Sequence, residues 1–206
     1  MLLNTRIQSK LNKLYNINMI KPQIPKGRVA VFIDAANFEI SLKQCDLYVD
    51  YRKLIKDIKQ YGKPVVLRYY SVVFKTEGQD RFFSFIKSRG FKIVTKDVKI
   101  IKNKKGSKKK ANFDVEITFD AAVRIGEFDT LILFSGDSDF VYLISKLQKR
   151  GIKTMVISPI FRTAKELKRQ VDKFIDLRNC EFAKKRPLFR GAHNSLSTAK
   201  RIYHKK

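Results

Sequence analysis

Short apolar runs alternate with amphipathic stretches along most of this chain. Residues 28–33 have the pattern of a short buried strand, and the segment that follows, as far as Cys45, reads as a helix. A second helix is predicted over 50–61, closed by Gly62, and a Val- and Tyr-rich strand over 64–74. A helix over 79–88 with Gly90 as its stop leads into a strand over 91–95. After a lysine-rich loop, Phe113, Ile117, Ala121 and Val123 mark a helix within 112–125, and 130–134 is another apolar strand. A helix over 140–149 with Gly151 behind it, a strand over 153–157, a helix over 163–169 and a short edge strand over 174–177 complete the series. Strands alternating with helices predict an α/β fold, a three-layer α/β/α sandwich whose mainly parallel central sheet is covered on both faces.

The two ends depart from this alternation. Leu3, Ile7, Leu11, Leu14 and Ile17 stand at helical spacing, which predicts an amphipathic helix before Pro22 and Pro25 interrupt the pattern. From Ala183 onward, Pro187, Gly191 and Ser, Asn and Lys residues replace the apolar periodicity, the composition of a disordered basic tail. The chain therefore divides into a basic N-terminal helical extension over 1–27, a folded domain over 28–178 and a basic tail over 179–206. A length of 206 residues suits one domain with extensions, and a 44% hydrophobic content is enough to build its core.

Charge changes the picture most. Lys and Arg number 45 against 19 Asp and Glu, a formal +26, and the excess is unevenly placed. Residues 1–28 hold six basic residues, 102–110 six lysines and 184–206 eight Lys and Arg, all without an acid, leaving +6 for the rest. Basic arms and loops of this kind neutralise a polyanion, where phosphate contacts release counterions, so nucleic acid is the expected partner. Lys102, Lys104, Lys105, Lys108, Lys109 and Lys110 are the candidate backbone-binding residues. Two cysteines, Cys45 and Cys180, make neither a disulfide framework nor a zinc site, which suits a reduced, cytoplasmic compartment. Apolar runs such as 131–134 fall far short of the roughly 20 residues that span a bilayer. The N-terminus turns polar at Asn4, so neither a membrane span nor a secretory leader is expected.

In an open α/β sheet, ligands bind beyond the carboxyl ends of the strands. Here one strand runs into Asp34, with Asn37 three residues later, and another into Ser135, Gly136, Asp137, Ser138 and Asp139. Asp114, Glu116 and Asp120 lie on the helix after the lysine loop. Carboxylates brought to one mouth repel by roughly 4 kcal/mol per pair at 4 Å and an effective dielectric of 20, so a cation must offset them. A hard divalent ion such as Mg²⁺ does so while keeping waters for a phosphate, and the chemistry it supports is phosphodiester hydrolysis.

Each acid has a plainer use. Asp137 or Ser135 could cap the next helix, Asp34 and Asn37 could form a turn, and Asp114 suits a helix first turn. Asp120 has Arg124 four residues on as a ready surface partner and turns away from the Asp114 face, so it ranks second with Ser135. Glu116 reads as solvated surface.

Taken in order, Val31-Phe32-Ile33-Asp34-Ala35-Ala36-Asn37, then Phe113-Asp114-Val115 through Asp120-Ala121, then Ser135-Gly136-Asp137-Ser138-Asp139-Phe140 resemble the NYN domain family in its LabA-like branch, within the PIN-like nucleases. The resemblance covers roughly 28–178. It implies a PIN-like α/β/α sandwich whose acidic cluster binds Mg²⁺ or Mn²⁺ and cleaves RNA. By position, Asp34, Asp114, Asp137 and Asp139 would hold the metal directly or through water, and Asn37 would support them. One departure stands out: the branch commonly carries Lys-Gly shortly before the middle acid, where this chain has Ala111 and Asn112.

The expected activity is therefore that of a metal-dependent ribonuclease, with DNA kept open as a substrate and oligomeric state left open. A non-catalytic RNA-binding or regulatory adaptor on the same fold is the alternative. A haloacid-dehalogenase-type phosphatase would need an acid two residues after Asp34, where Ala36 stands, and a dinucleotide-binding protein would need a glycine-rich turn in 34–38. His193 and His204 fall in the tail, which leaves no histidine general base. Tyr69 and Tyr70 could stack bases, but residues of this kind in a strand are more often core or sheet surface, and neither is assigned a role.

Overall fold

The computed structural model describes residues 27–187, except 98, 104, 105 and 111. The amphipathic segment expected over 1–20 and the chain beyond 187 lie outside the described residues.

A six-stranded sheet forms the middle layer, in the order β4-β3-β1-β7-β8-β9, and all five pairings within it are parallel. Its strands are β1 (Gly27–Asp34), β3 (Gly62–Val73), β4 (Lys92–Asp97), β7 (Thr130–Phe134), β8 (Lys153–Ser158) and β9 (Lys173–Asp176). The helices are α1 (Ala35–Gln44), α2 (Tyr51–Ile58), α3 (Glu77–Ser88), α4 (Asp114–Val123), α5 (Val141–Gln148) and α6 (Lys165–Gln170).

Side-chain parity in β1 builds both cores. Val29, Val31 and Ile33 face one layer, with Phe38 and Leu42 of α1, Leu54 and Ile58 of α2 and Ile86 of α3. Ala30 and Phe32 face the other, with Ile117 and Ala121 of α4, Leu143, Ile144 and Leu147 of α5 and Leu167 of α6. A strand apolar on both faces is the mark of a parallel sheet covered on both sides, and β7 repeats it, all five of its residues being buried. Tyr69 and Tyr70 point to opposite faces and both are buried, as expected for core residues. No helix among the described residues is long and apolar enough to cross a membrane.

Three local features differ from the sequence expectation. The lysine loop is an antiparallel hairpin in its backbone, β5 (Lys99–Asn103) against β6 (Gly106–Lys110), pairing Lys102 with Ser107 and Ile101 with Lys108. A uniformly charged run has no apolar alternation to announce a strand, whereas backbone pairing needs none. Lys104 and Lys105 lie outside the described residues.

The second concerns the tail. The ordered chain continues past 178 into β10 (Ala183–Lys185), which pairs antiparallel with β2 (Leu47–Val49). Phe182 is buried among Phe134 and its neighbours, so a single aromatic extends the domain beyond the point where periodicity stops. The third is Glu116, which is half-buried rather than solvated and accepts a hydrogen bond from Lys96 at 2.8 Å.

Candidate functional site

The chain leaves β1 toward β3 and β4 on one side and returns to β7, β8 and β9 on the other. The crevice between the carboxyl ends of β1 and β7 is the point where the strand order reverses, and it is where open α/β sheets take ligands. Asp34 is the last residue of β1 and Ser135 the first beyond β7, so the two arrive at this crevice side by side.

Hydrogen bonds lock these residues together. Asp34 caps α1, its Oδ1 accepting from the Asn37 N–H at 3.3 Å, while Oδ2 accepts from Ser135 Oγ at 3.2 Å. Ser135 Oγ in turn accepts from the Asp137 N–H at 3.3 Å. Asn37 Oδ1 accepts from the Gly136 N–H at 3.1 Å, which ties the start of α1 to the loop after β7. Asp137 caps the short turn Ser138–Phe140 through the Asp139 N–H at 3.1 Å. Capping and site-building thus coincide: a carboxylate has about four lone-pair positions, and one cap bond leaves capacity for a ligand.

Gly136 is required by close approach. A Cβ there would lie 2.5 Å from the Arg162 carbonyl oxygen and 2.9 Å from Ser158 Oγ, so only glycine lets the loop pass under the turn after β8.

Asp114 comes from the opposite layer, at the first position of α4. Burial and the charges of Asp137, Asp34 and Asp139 push its carboxyl up to about 6, with Lys96 opposing the rise. Asp34 is also raised, mainly by burial and with a contribution from Asp137, against the pull of its hydrogen bonds from Asn37 and Ser135. Asp114 therefore feels the charge of three acids carried by two other elements, the end of β1 and the loop after β7. Asp137 is half-buried there and Asp139 exposed at its rim.

Two residues beyond the sequence-derived set join this group. Asn112 Nδ2 donates to Asp114 Oδ2 at 2.6 Å, so the residue at the position of the missing Lys-Gly pair holds the middle acid by its side chain. Lys96, bound to Glu116, stands 4.6 Å from the centroid of the Phe113 ring. Parity in β4 could have found Lys96, because Val94 packs in the layer that α4 covers and Lys96 shares its face.

Asp120 belongs elsewhere. Its Oδ2 accepts from Tyr70 Oη at 2.9 Å and lies 3.9 Å from Arg68 Nε, while Arg124, its expected partner, binds Glu127 at 3.0 Å. A buried arginine reached across the layer interface outcompetes the neighbour one helical turn away.

Among the described residues, no three His, Cys, Asp or Glu side chains already stand as a group able to hold a metal ion. The donor chemistry nevertheless fits a hard divalent cation. Carboxylate oxygens of Asp34, Asp114, Asp137 and Asp139 are the ligands such ions prefer, and the repulsion felt at Asp114 is what a cation would relieve.

This architecture, an α/β/α sandwich with an acidic crevice at the reversal of strand order, is that of a PIN-like domain. Residues 28–178 match the NYN domain family, and the chain belongs to it. It is similar to the Low amplitude and bright protein LabA of Synechococcus elongatus, 27% identical over 156 residues that span 73% of this chain and 84% of the relative. The crystal structure of a protein of unknown function from Vibrio parahaemolyticus superposes with a TM-score of 0.63 at 26% identity, covering 73% of this chain and 92% of the other. NYN domains are PIN-like nucleases, and membership supports a nucleic-acid-related role.

Proposed function

We propose that the protein is a metal-dependent ribonuclease that hydrolyses phosphodiester bonds at the crevice between β1 and β7. The observation that carries this reading is the convergence of Asp34, Asp114, Asp137 and Asp139 from three elements on one mouth of a strongly basic chain. A structural role asks for no such concentration of like charge. Asp34, Asp114 and Asp137 would hold Mg²⁺ or Mn²⁺, with Asp139 directly or through water. When bound, the ion supplies positive charge to a phosphate and acidity to water.

The remaining work belongs to this chain's own residues. Asn37 and Ser135 keep the two strand ends in register through Gly136 and Asp34, so the carboxylates meet the substrate pre-positioned. Water adds to phosphorus and gives up one proton, the bond to the leaving sugar oxygen breaks, and that oxygen takes up one proton, so water is consumed with no net change in protons beyond the ionisation of the new phosphate end. The β5–β6 hairpin, which leads into α4, brings Lys102, Lys108, Lys109 and Lys110 into the stretch just before Asp114, where they would clamp the RNA backbone. We place the action in the cytoplasm, which suits a chain whose two cysteines, Cys45 and Cys180, are both free.

A second reading, a non-catalytic RNA-binding adaptor, draws support from the lack of a pre-assembled metal-holding group among the described residues. End-labelled single-stranded and structured RNAs, incubated at about physiological salt with Mg²⁺, Mn²⁺ or chelator, separate the two. The nuclease cleaves only with metal, and Asp137→Asn prepared in parallel does not. RNA bound but left intact by the wild type under every metal condition favours the adaptor.

A further inference from the structure

The turn after β8 spends hydrogen bonds to hold apolar side chains in water. The Arg162 N–H and Thr163 Oγ1 donate to the Pro159 carbonyl at 3.0 and 2.9 Å, and Lys168 Nζ donates to the Ile160 carbonyl at 3.1 Å. The Ala164 N–H donates to the Gly136 carbonyl at 3.0 Å, which fastens the turn to the acidic loop. On this pinned support Ile160 stays 46% and Phe161 59% exposed. Single exposed apolar residues are ordinary on protein surfaces, so exposure alone says little. Two further facts single out Phe161.

The first is the cation on its ring. Arg178 Cζ lies 5.7 Å from the Phe161 centroid, and its guanidinium is itself held by Asp176, with Nε to Oδ1 at 3.0 Å and Nη2 to Oδ2 at 2.6 Å. The second is position: Phe161 precedes the residue whose carbonyl packs against Gly136. Along the chain from the same loop, about one helical turn after Asp139, Tyr142 is 68% exposed with Lys146 Nζ 4.8 Å from its ring centroid. Two exposed aromatic rings, each with a cation at its face, are thus joined to the acidic loop, one through α5 and one through the bond from Ala164 to Gly136.

We propose that Phe161 and Tyr142 are stacking platforms for unpaired bases of an RNA whose phosphate lies at the acidic loop, an inference that rests on the ribonuclease reading for what occupies that loop. Aromatic rings take bases face to face regardless of sequence; Lys146 beside Tyr142 adds attraction for the adjoining phosphate, while Arg178, paired with Asp176, braces the Phe161 ring. Base faces inside a duplex are covered by their neighbours, so the two platforms select single-stranded RNA, or RNA splayed open at the cleaved position.

The chain contains no tryptophan, so Phe161→Trp and Tyr142→Trp each install a single emitter at a platform, and Val65→Trp, at an exposed site near the start of β3, serves as the control. The titrant is an unstructured single-stranded RNA of about ten nucleotides, in chelator and at about physiological salt, compared with the same sequence as a duplex. Single-stranded RNA quenches both platform emitters in a saturable way, the duplex quenches neither, and Val65→Trp is silent. Phe161→Ala weakens single-strand binding by about tenfold and Phe161→Tyr restores it. Platform emitters that stay unchanged while anisotropy reports bound RNA, or that respond equally to the duplex, overturn the proposal even if metal-dependent cleavage is intact. Quenching as expected in a protein that cleaves nothing leaves the platforms standing and sinks the nuclease reading instead. No RNA binding at all overturns both.

Discussion

Asp129 and Asp114 are the same residue at opposite ends of one sheet, and their surroundings treat them in opposite ways. Asp129, just before β7, accepts from the Arg28 N–H at 2.7 Å, from Nε at 3.2 Å and from Nη2 at 2.8 Å. Those bonds hold its carboxyl down to about 2. Asp114, at the carboxyl end, is pushed up to about 6 by burial and by three other acids, with one lysine in opposition. An acid that fastens β1 to β7 is matched group for group. Among the described residues the acids at the carboxyl end have no such matching cation, and the proposed site rests on that contrast more than on the number of acids.

The contrast breaks most visibly in activity. Asp137→Asn removes one carboxylate from the crevice and is expected to lower metal-dependent RNA cleavage by about 100-fold or more, while RNA binding in chelator stays equal or tightens. Asp129→Asn, at the other end, leaves the cleavage rate unchanged in the same assay.

Next in size is Gly136→Ala. The added methyl meets a backbone carbonyl that cannot swing aside, so a loss of about 1–3 kcal/mol in denaturant unfolding is expected, together with reduced cleavage.

The two acids also give opposite pH dependences. The folded-state pKa of Asp114 is raised above its ordinary 3.8, so the folded state holds the extra proton. Its contribution therefore favours folding at low pH and is lost as pH rises from about 4 through about 6. Asp114 is open enough to solvent that the effect is discounted to about 1 kcal/mol. In metal-free protein, Asp114→Asn should thus be the more stable form at pH 8 and lose that advantage near pH 4, as urea titrations would show. Mg²⁺ should raise the stability of the wild type above pH 6 more than that of Asp114→Asn. For Asp129, lowered to about 2, the stabilisation is present above 3.8 and disappears only as pH falls toward 2. The smallest effect is that of Asp129→Asn on thermal stability at neutral pH, a fall of about 2 °C, because the pair with Arg28 is open to solvent.

Much of this architecture is legible in one dimension. β1 and β7 announce themselves because 29–33 and 131–134 are unbroken apolar runs buried on both faces, and Gly62, Gly90 and Gly151 stop helices by means that local chemistry alone dictates. The acids at the strand ends follow from the same pattern. What the pattern misses is set by tertiary contact. β2 and β10 have three residues each and carry no periodicity of their own; they exist because Phe182 brings the late segment back to the core. The β5–β6 hairpin hides in a run of lysines. Asp120 looks destined for Arg124 along its own helix, yet Tyr70 and Arg68 reach it from β3. Asn112 reads as a departure from the family pattern until its side chain is seen donating to Asp114.

On the proposed reading a divalent cation belongs at the carboxyl end of β1 and β7 and not beside the paired acid at the other end. Titration of the ¹⁵N-labelled protein with substoichiometric Mn²⁺ tests it directly, because the paramagnetic ion erases nearby amide signals. Signals of Asp34, Asp114, Asp137 and Asp139 are expected to vanish first while those of Arg28 and Asp129 survive. Broadening that begins at Asp129, or none above the level of a chelated control, would contradict it.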